Sequence, residues 1–332
     1  MKKERSPRKQ YIIGIDLGGT KMLTALIGKE NKVISEAKTK TRVDKGKKYF
    51  IGSILDSIRH VLREARTSIN AVEGIGIGCP GIIDAQDGKV IYSPNIPFLK
   101  KFPLAESLSR VLHTSVAVEN DVNAGLYGEF CFGAARKARN AVGIFIGTGI
   151  GGALLFDGKI YRGATGAAGE VGHMAVDPDG PLCGCGRKGC FEALASRSAI
   201  AAEAALLAGR QQAPHLFSLS GTDISKIKSG ALAKSVKAGD SELKRLIVHK
   251  SKIMGRVMAN LVNLLSPDTI VLGGGLVEAM PDLIVKEASR TMHALAMPQL
   301  AKRVKVKPSE LGDYAIVMGA AQLVKENGRK NV

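Results

Sequence analysis

Runs of apolar residues, separated by polar turns, mark the chain up to about residue 121. The runs predict strands over 11–16, 22–27, 33–38, 74–78 and 115–119. Between the third and fourth runs, apolar positions recur at intervals of three and four, which predicts a helix over about 50–67 with one buried face. These positions are Ile51, Ile54, Leu55, Ile58, Val61 and Leu62. Strands that alternate with helices are typical of an α/β fold.

The second half of the chain opens in the same way and then becomes helical. Strands are predicted over 141–146, 153–156, 159–161 and 269–272, and helices over 242–265 and 317–324. Asp157-Gly158 predicts a hairpin turn, and a glycine-dense loop region covers 163–189. Each half therefore begins with a strand, a glycine-rich turn and a strand, which allows the halves to share a structure although no repeat of 20–50 residues appears.

Two glycine-rich turns follow predicted strands, Asp16-Leu17-Gly18-Gly19-Thr20-Lys21 and Gly147-Thr148-Gly149-Ile150-Gly151-Gly152. Glycine lets backbone N–H groups approach an oxyanion, so together the turns predict a nucleotide-phosphate site. In the first turn a carboxylate and a lysine suit a magnesium-bound polyphosphate, and the alternative is an ordinary tight hairpin. The candidate nucleotide-binding residues are Asp16, Gly18, Gly19, Thr20, Lys21, Gly147, Thr148, Gly149 and, in the turn after strand 269–272, Gly274.

The second turn also matches the G-x-G-x-x-G fingerprint of dinucleotide-binding proteins. That fingerprint requires a helix directly after the glycines, because the helix N-terminus receives the pyrophosphate. Here the pattern of a strand, a tight turn and another strand follows. We therefore set the dehydrogenase interpretation aside.

Composition narrows the possible functions of this 332-residue chain. A formal net charge of +18 and basic ends would attract polyanions (Lys2, Lys3, Arg5, Arg8 and Lys9; Lys325, Arg329 and Lys330). However, the basic residues are scattered and there is no tryptophan, so the stacking surface of single-strand nucleic-acid binders is missing. No apolar run approaches the roughly 20 residues that span a bilayer, and polar sequence follows the first methionine. We expect a cytoplasmic protein that binds neither nucleic acid nor membrane.

Three of the five cysteines lie within eight residues of one another, at Cys183, Cys185 and Cys190. With His173 they form H-x9-C-x-C-x4-C, three thiolates and an imidazole that match a closed tetrahedral zinc site of structural type. Glu170 and Glu192 flank this group, so a bound metal would also hold two carboxylates that could accept hydrogen bonds from sugar hydroxyls. The alternative is that both are solvated loop glutamates.

Asn120-Asp121 ends the predicted strand 115–119 and is the candidate for catalysis. Phosphoryl transfer needs an aspartate that accepts the proton of the attacking hydroxyl, and open α/β sheets bind ligands at the carboxyl ends of strands. The alternative is an aspartate that caps a helix over 123–130, a role that aspartate and asparagine favour.

These residues resemble the ROK family of sugar kinases and sugar-responsive repressors over nearly the whole chain. The motifs are Asp16-Leu-Gly-Gly-Thr-Lys21, Gly76-Ile-Gly-Cys-Pro-Gly81, Glu119-Asn-Asp-Val-Asn123, Gly147-Thr-Gly-Ile-Gly-Gly152, Gly169-Glu-Val-Gly-His173 and Cys183-Gly-Cys-Gly-Arg-Lys-Gly-Cys-Phe-Glu192. The resemblance implies an actin-like ATPase fold of hexokinase type, with two α/β domains flanking an interdomain cleft and a zinc-bound loop. The expected domains are 10–122, completed by the C-terminal helix 315–332, and 123–314.

The resemblance also implies roles for individual residues. Asp121 would act as general base toward the 6-hydroxyl of a hexose, and His173, Cys183, Cys185 and Cys190 would bind zinc. Sugar contacts are implied for Gly81, Asn95, Asn120, Asp121, Glu170, His173 and Glu192. The cofactors would be ATP, Mg²⁺ and structural Zn²⁺, in a homodimer or homotetramer that serves carbohydrate metabolism and glycolysis.

The sequence therefore predicts an ATP-dependent hexokinase of glucokinase type. Repressors of the family carry a winged helix-turn-helix ahead of the kinase-like part, and only ten residues precede the first predicted strand here, which favours an enzyme. The alternatives are a kinase for mannose, fructose, N-acetylglucosamine or N-acetylmannosamine, a non-enzymatic sugar-sensing regulator and, more remotely, a zinc-dependent nucleic-acid binder.

Overall fold

The computed structural model of the chain describes residues 10–330, with side chains described through residue 326. The basic positions Lys2, Lys3, Arg5, Arg8 and Lys9, and the side chains of Arg329 and Lys330, lie outside the described residues. The chain divides into two compact units. The first contains the described residues up to Arg136, the segment Arg162–Ala168 and the residues from Asp313 onward, and the second contains Lys137–Tyr161 and Gly169–Gly312.

The first unit is built on a mixed sheet with the strand order β3-β2-β1-β4-β7. Its strands are β1 (Tyr11–Leu17), β2 (Lys21–Ile27), β3 (Val33–Lys40), β4 (Val72–Cys79), β5 (Ile82–Asp84), β6 (Lys89–Tyr92) and β7 (Val116–Asn120). The strands β1, β2 and β3 pair antiparallel, whereas β4 is parallel to both β1 and β7. β5 and β6 form a separate antiparallel hairpin.

The second unit repeats this arrangement with the order β10-β9-β8-β11-β12. Its strands are β8 (Ala141–Ile146), β9 (Ile150–Phe156), β10 (Lys159–Ile160), β11 (Thr269–Gly273) and β12 (Lys305–Pro308). Here too the first three strands pair antiparallel, and β11 is parallel to both β8 and β12. β9 begins at Ile150, within the second glycine-rich motif, so the prediction of a strand instead of a dinucleotide-binding helix is confirmed.

Helices pack against both sheets. They are α1 (Lys47–Glu64), α2 (Leu104–Leu112), α3 (Asp121–Phe132), α4 (Phe191–Ala195), α5 (Arg197–Gly209), α6 (Pro214–Ser220), α7 (Ser229–Ala238), α8 (Ser241–Leu265), α9 (Gly275–Ala279), α10 (Pro281–Leu295), α11 (Pro298–Ala301) and α12 (Ala315–Lys330). The helices predicted over 50–67, 242–265 and 317–324 correspond to α1, α8 and α12. Among residues 10–330, no helix combines the length and the apolar character that crossing a membrane requires.

Two strand glycines bring α12 onto the first sheet. An added Cβ at Gly76 in β4 would lie 1.9 Å from the carbonyl oxygen of Ala320, and one at Gly14 in β1 would lie 2.1 Å from that of Val317. On its other side α12 packs against α3, where a Cβ at Gly319 would lie 1.8 Å from the carbonyl oxygen of Ala124. Because a side chain at any of these positions would separate the elements, the C-terminal helix is an integral part of the first unit.

The domain limits differ from the predicted limits in three places, one of which is near the C-terminus, where Asp313 and Tyr314 belong to the first unit instead of the second. Because α3 packs on α12, the first unit continues to Arg136 instead of ending at residue 122. The segment Arg162–Ala168, expected in the second domain, also belongs to the first unit. The second unit has its own core, in which buried apolar residues of α8 and α10 surround β8 and β11.

Candidate active site

The carboxyl ends of β1, β4 and β7 meet at one edge of the first sheet. The register pairs Asp16 with Gly78, Gly78 with Glu119, and Cys79 with Asn120. Asp121 follows directly as the first residue of α3, and an added Cβ at Gly78 would lie 3.4 Å from its Cα. Parallel strands that end together in this way form the edge at which α/β sheets bind ligands.

The helix cap of α3 is Asn120, not Asp121. The Asn120 side-chain oxygen accepts a hydrogen bond from the backbone N–H of Asn123 at 3.0 Å, and its amide nitrogen donates to the carbonyl of Gly81 at 3.0 Å. The Asp121 carboxylate accepts a hydrogen bond from the backbone N–H of Val122 at 2.9 Å. Capping is therefore the role of the neighbouring asparagine, and it does not account for the aspartate.

Asp16 carries the electrostatic signature of this edge. Its pKa is raised to about 7, first by burial and then by the carboxylates of Asp121 and Asp313, while Lys21 lowers it. Carboxylates gathered in a poorly solvated place repel one another in the charged form, and a hard cation relieves that repulsion. The arrangement fits Mg²⁺, for which oxygen ligands are preferred.

The first glycine turn lies beside these carboxylates and is braced by its own strands. The backbone N–H of Gly18 donates to the carbonyl of Lys21 at 3.0 Å. Thr41, just after β3, donates from its backbone to the carbonyl of Thr20 at 3.1 Å and from its hydroxyl to the carbonyl of Gly19 at 2.9 Å. The turn thus keeps its shape through hydrogen bonds to neighbouring strands of one sheet.

Two of the predicted sugar contacts lie next to these elements. An added Cβ at Gly19 would lie 3.1 Å from the Cβ of Asn95, so Asn95 is adjacent to the first turn. Gly81 has a φ of +117°, and a Cβ there would lie 2.1 Å from the carbonyl oxygen of Tyr92, so only glycine fits. The first glycine turn, Gly81, Asn95 and the Asn120-Asp121 pair therefore lie near one another within the first unit.

The second glycine turn joins β8 to β9. The backbone N–H of Gly147 donates to the carbonyl of Gly149 at 2.9 Å. Gly274 has a φ of +85°, and an added Cβ would lie 2.7 Å from the backbone of Ile146, the last residue of β8. The third predicted glycine position is thus adjacent to the second turn, within the second unit.

The four predicted metal ligands converge in the second unit. One ligand atom from each of His173, Cys183, Cys185 and Cys190 can be chosen so that all lie within 4.8 Å of one another. The Sγ atoms of Cys185 and Cys190 are 3.6 Å apart, and Sγ of Cys183 is 3.7 Å from Nδ1 of His173. Tetrahedral ligands at a zinc–sulfur distance of about 2.3 Å are separated by about 3.8 Å, so the donor set and its spacing fit zinc.

Local contacts favour the thiolate at one position of this cluster, Cys185, whereas burial raises the pKa of Cys190. The backbone N–H and guanidinium of Arg187 hydrogen-bond the sulfur of Cys185 and lower its pKa to about 6, which favours the thiolate that a metal binds. His173 ends a short 3-10 turn that begins after Glu170, and its backbone N–H donates to the Glu170 carbonyl at 3.1 Å. Glu170 is exposed, and Glu192 lies in the first turn of α4, directly after Cys190.

Sequence reasoning missed several residues that complete these arrangements. Glu119 is buried, with its side chain 6% exposed, and Arg162 donates to it from Nε at 2.8 Å and from Nη2 at 2.5 Å. Asp313 adds to the charge around Asp16. No local signal marks Arg162 or Asp313, because each contacts a residue remote in the chain. Glu119 lies inside a recognised motif, and its position directly before Asn120-Asp121 is the signal that could have identified it.

The chain belongs to the ROK family, since the sequence model of that family matches residues 12–327. It is 31% identical over 318 residues to the glucokinase of Thermotoga maritima, covering 96% of this chain and 98% of that protein. It is 28% identical to the xylose repressor of Caldicellulosiruptor bescii, covering 94% of this chain and 77% of the repressor. The crystal structure of a ROK family glucokinase from Streptomyces griseus in complex with glucose and AMPPNP superimposes with a TM-score of 0.83 at 28% identity, covering 95% of this chain and 99% of that chain. The predicted family and the actin-like fold class are confirmed.

Proposed function

We propose that this chain is an ATP-dependent hexose kinase that phosphorylates the 6-hydroxyl, with glucose as the preferred sugar. The observation that carries the proposal is the position of Asp121 at the end of β7, beside Asp16, whose pKa is raised to about 7. The similarity to glucokinases, one of them crystallised with glucose and AMPPNP, supports the choice of substrates.

In the proposed reaction the hexose O6 attacks the γ-phosphorus of ATP. The bond between that phosphorus and the β,γ-bridging oxygen breaks, ADP leaves, and the proton of the 6-hydroxyl moves to the Asp121 carboxylate. Such a transfer depends mainly on positioning and on stabilisation of the phosphoryl oxygens. The Asn120 cap and the strand register hold Asp121 in place, so they contribute to the positioning of the general base.

The nucleotide is assigned to the two glycine turns. In the first turn, Asp16 and Lys21 would hold Mg²⁺ and phosphate oxygens, and Mg²⁺ would neutralise charge on the phosphates. In the second, backbone groups of Gly147 and Gly149, with the Thr148 hydroxyl and the neighbouring Gly274, would face phosphate oxygens.

As the family resemblance implies, hexose contacts are assigned to Asn95, Asn120, Asp121 and the Gly81 backbone, and to Glu170, His173 and Glu192. A zinc ion bound by His173 and the three cysteines would supply structural support, since four protein ligands leave no position for a reacting water.

The proposal is tested by measuring ADP formation with ATP, Mg²⁺ and a panel of hexoses. We expect glucose to give the highest kcat/KM, and preference for mannose, fructose or an N-acetylated amino sugar would overturn the choice of sugar. The similarity to a xylose repressor favours one further candidate, a sugar-sensing regulator. Hexose binding by calorimetry without ADP formation from any sugar would contradict the kinase and support the regulator.

The role of Asp121 is tested by Asp121→Asn. We expect kcat to fall by roughly 100-fold to 10,000-fold, because the variant cannot accept the hydroxyl proton, while hexose affinity changes little. Asp56→Asn, which alters an exposed aspartate on α1 paired with Arg59, is the matched control and should leave kcat unchanged. Normal turnover in Asp121→Asn would refute the assignment.

A further inference from the structure

The carboxylate of Glu192 contacts the second glycine turn directly. Its Oε2 accepts a hydrogen bond from the backbone N–H of Ile150 at 2.8 Å, and its Oε1 lies 3.9 Å from the sulfur of Cys183 in the metal-ligand cluster. An added Cβ at Gly149 would lie 2.2 Å from the same Oε2. A methyl group at residue 149 would therefore have to displace the Glu192 carboxylate.

The other end of the turn is held by Arg197, the first residue of α5. Its backbone N–H donates to the carbonyl of Gly147 at 3.0 Å, and its Nη2 donates to the hydroxyl oxygen of Thr148 at 2.7 Å. Glu192 lies in the first turn of the short helix α4, which begins directly after the proposed metal ligand Cys190, and Arg197 begins the next helix, α5. The segment that follows the cluster therefore contacts both ends of the turn.

We propose that Glu192 and Arg197 are positioning residues for the phosphate-binding turn 147–150. The inference rests on the proposed function, which assigns that turn to the nucleotide and Glu192 to the hexose. It adds a physical connection in which one carboxylate links the metal-ligand cluster, the hexose and the nucleotide.

The connection has a thermodynamic consequence. A carboxylate has lone pairs for several donors, so Glu192 can accept a hexose hydroxyl while it keeps the N–H of Ile150. A bound hexose would restrict the Glu192 side chain, and the turn would then lose less freedom when the nucleotide binds. Each ligand should therefore increase the affinity of the other by the same factor.

The test measures binding of the ATP analogue AMPPNP with Mg²⁺, without hexose, by calorimetry on the full metal-loaded chain. Glu192→Ala removes the acceptor of the buried Ile150 N–H and should weaken AMPPNP binding by roughly tenfold or more. Glu192→Gln keeps an oxygen that can accept the same hydrogen bond, so its affinity should stay within about twofold of the unaltered chain. A residue that served only the hexose would leave AMPPNP affinity unchanged in both variants.

Gly149→Ala gives a second measurement that leaves the carboxylate itself intact. The added methyl group must displace Glu192 Oε2, so this variant should also weaken AMPPNP binding. In the Glu192→Ala background the methyl group meets no carboxylate, and the further loss should disappear. Such non-additivity is expected for residues in contact, whereas independent sites give additive effects.

Controls separate positioning from unfolding. Zinc content and melting temperature are measured for every variant, and Glu287→Ala provides a matched control because Glu287 is a largely buried glutamate of the same unit that pairs with Arg290. AMPPNP affinity unchanged in Glu192→Ala, equal losses in Glu192→Ala and Glu192→Gln, or additive effects in the double variant would each overturn the inference. Failure of the proposed function would look different, since the unaltered chain would then not bind AMPPNP.

Discussion

The two glycine turns lie at equivalent points of two sheets with the same strand order, yet they are supported in different ways. The first is held by hydrogen bonds within its own hairpin and from Thr41, which directly follows the neighbouring strand β3. The second is held by Glu192 and Arg197, which belong to helices that follow the metal-ligand cluster. The second turn also has a hydrogen bond within its own hairpin, from Gly147 to Gly149, so the difference is that a remote segment adds support to the turn in the second unit.

The difference separates two requirements of the site. The first turn must remain fixed beside Asp16 and the other carboxylates that raise its pKa, and rigid backbone hydrogen bonds meet that need. The second turn is tied to α4 and α5, which follow a loop-rich segment with little regular structure of its own. We infer that a metal in the cluster would stabilise the second turn and would be irrelevant to the first.

Removing the metal should give the largest effect. Cys185→Ser deletes one ligand, and structural zinc can contribute about 10 kcal/mol in small domains. Once the cluster opens, Glu192 is no longer held against Ile150, so hydrogen exchange of the Ile150 amide should accelerate by roughly 10-fold to 100-fold. The amides of Gly18 and Thr41 should keep their protection. The measurement is site-resolved hydrogen exchange by mass spectrometry, with zinc content determined in parallel.

Cys131→Ala, a cysteine of the first unit outside the cluster, is the control and should keep both the metal and the protection of Ile150. Chelation followed by zinc addition should reverse the effect in the unaltered chain. Equal acceleration at both turns would break the comparison, because it would mean that the first turn also depends on the metal.

Substitution of Arg162 tests whether Asp121, like the first glycine turn, is held in place by contacts within the first unit. Glu119, buried directly before Asn120, accepts hydrogen bonds from the Asn120 backbone at 3.0 Å and from the Asn123 side chain at 3.1 Å, and Arg162 neutralises it. Arg162→Ala would leave this carboxylate buried without its cation, at a cost of about 3 kcal/mol. We expect kcat to fall by up to about 100-fold through displacement of Asp121, with little change in KM.

Two observations distinguish positioning by Arg162 from a general loss of stability. Added guanidinium at millimolar concentration should restore part of kcat in Arg162→Ala. The kcat of Arg162→Lys should lie between that of Arg162→Ala and that of the unaltered chain. Arg139→Ala breaks an exposed ion pair with Asp157 and should change stability by less than about 1 kcal/mol. A rise in KM with unchanged kcat would show that Arg162 serves substrate binding instead.

The pKa of Asp16 predicts a pH dependence of stability in the absence of ligands. Its pKa is about 7 in the folded chain against an ordinary value of 3.8, so between these values the folded state binds more protons than the unfolded state. Stability must therefore fall as pH rises through this window, by roughly 2 kcal/mol between pH 5 and pH 7, and change little from this group above pH 7. The measurement is urea unfolding at a series of pH values.

Asp16→Asn should remove this slope and be more stable than the unaltered chain at pH 7 and above. At about pH 4 the two proteins should have similar stabilities, because Asp16 is then protonated in the folded state. Asp56→Asn, at an exposed position, should keep the slope. Parallel curves for the unaltered chain and Asp16→Asn would mean that Asp16 is not the group responsible.

The sequence predicted those elements whose apolar pattern is long or regular. The strand at 141–146 has the predicted limits, and α8 differs from its prediction by a single residue. The edge strand β12, Lys-Val-Lys-Pro, is too short and polar to stand out. The helix α5 was missed because its buried face consists mainly of alanines, which contribute little to an apolar pattern.

The candidate site was predictable where its residues are adjacent in the chain. The turns, the Asn120-Asp121 pair and the cysteine spacing depend on local order, and the structure brings each group together within its unit. Arg162 and Asp313 could not be predicted, since their contacts arise only when distant segments meet. The contacts of Glu192 with Ile150 and Cys183 were not predicted for a related reason, because the proximity of Glu192 to Ile150 depends on how the intervening loop folds.

Substitution of Thr41, which supports the first glycine turn, should give the smallest of these effects. Thr41→Val removes the hydroxyl that donates to Gly19 but keeps the backbone hydrogen bond to Thr20, so we expect a loss of about 1 kcal/mol in unfolding free energy and little change in AMPPNP affinity. Thr39→Val is a matched control on β3, because the buried hydroxyl of Thr39 has no hydrogen-bond partner among residues 10–330 and its removal should be neutral or stabilising. If Thr41→Val weakened AMPPNP binding as much as Glu192→Ala, the first turn would depend on side-chain support as strongly as the second, and the contrast between them would fail.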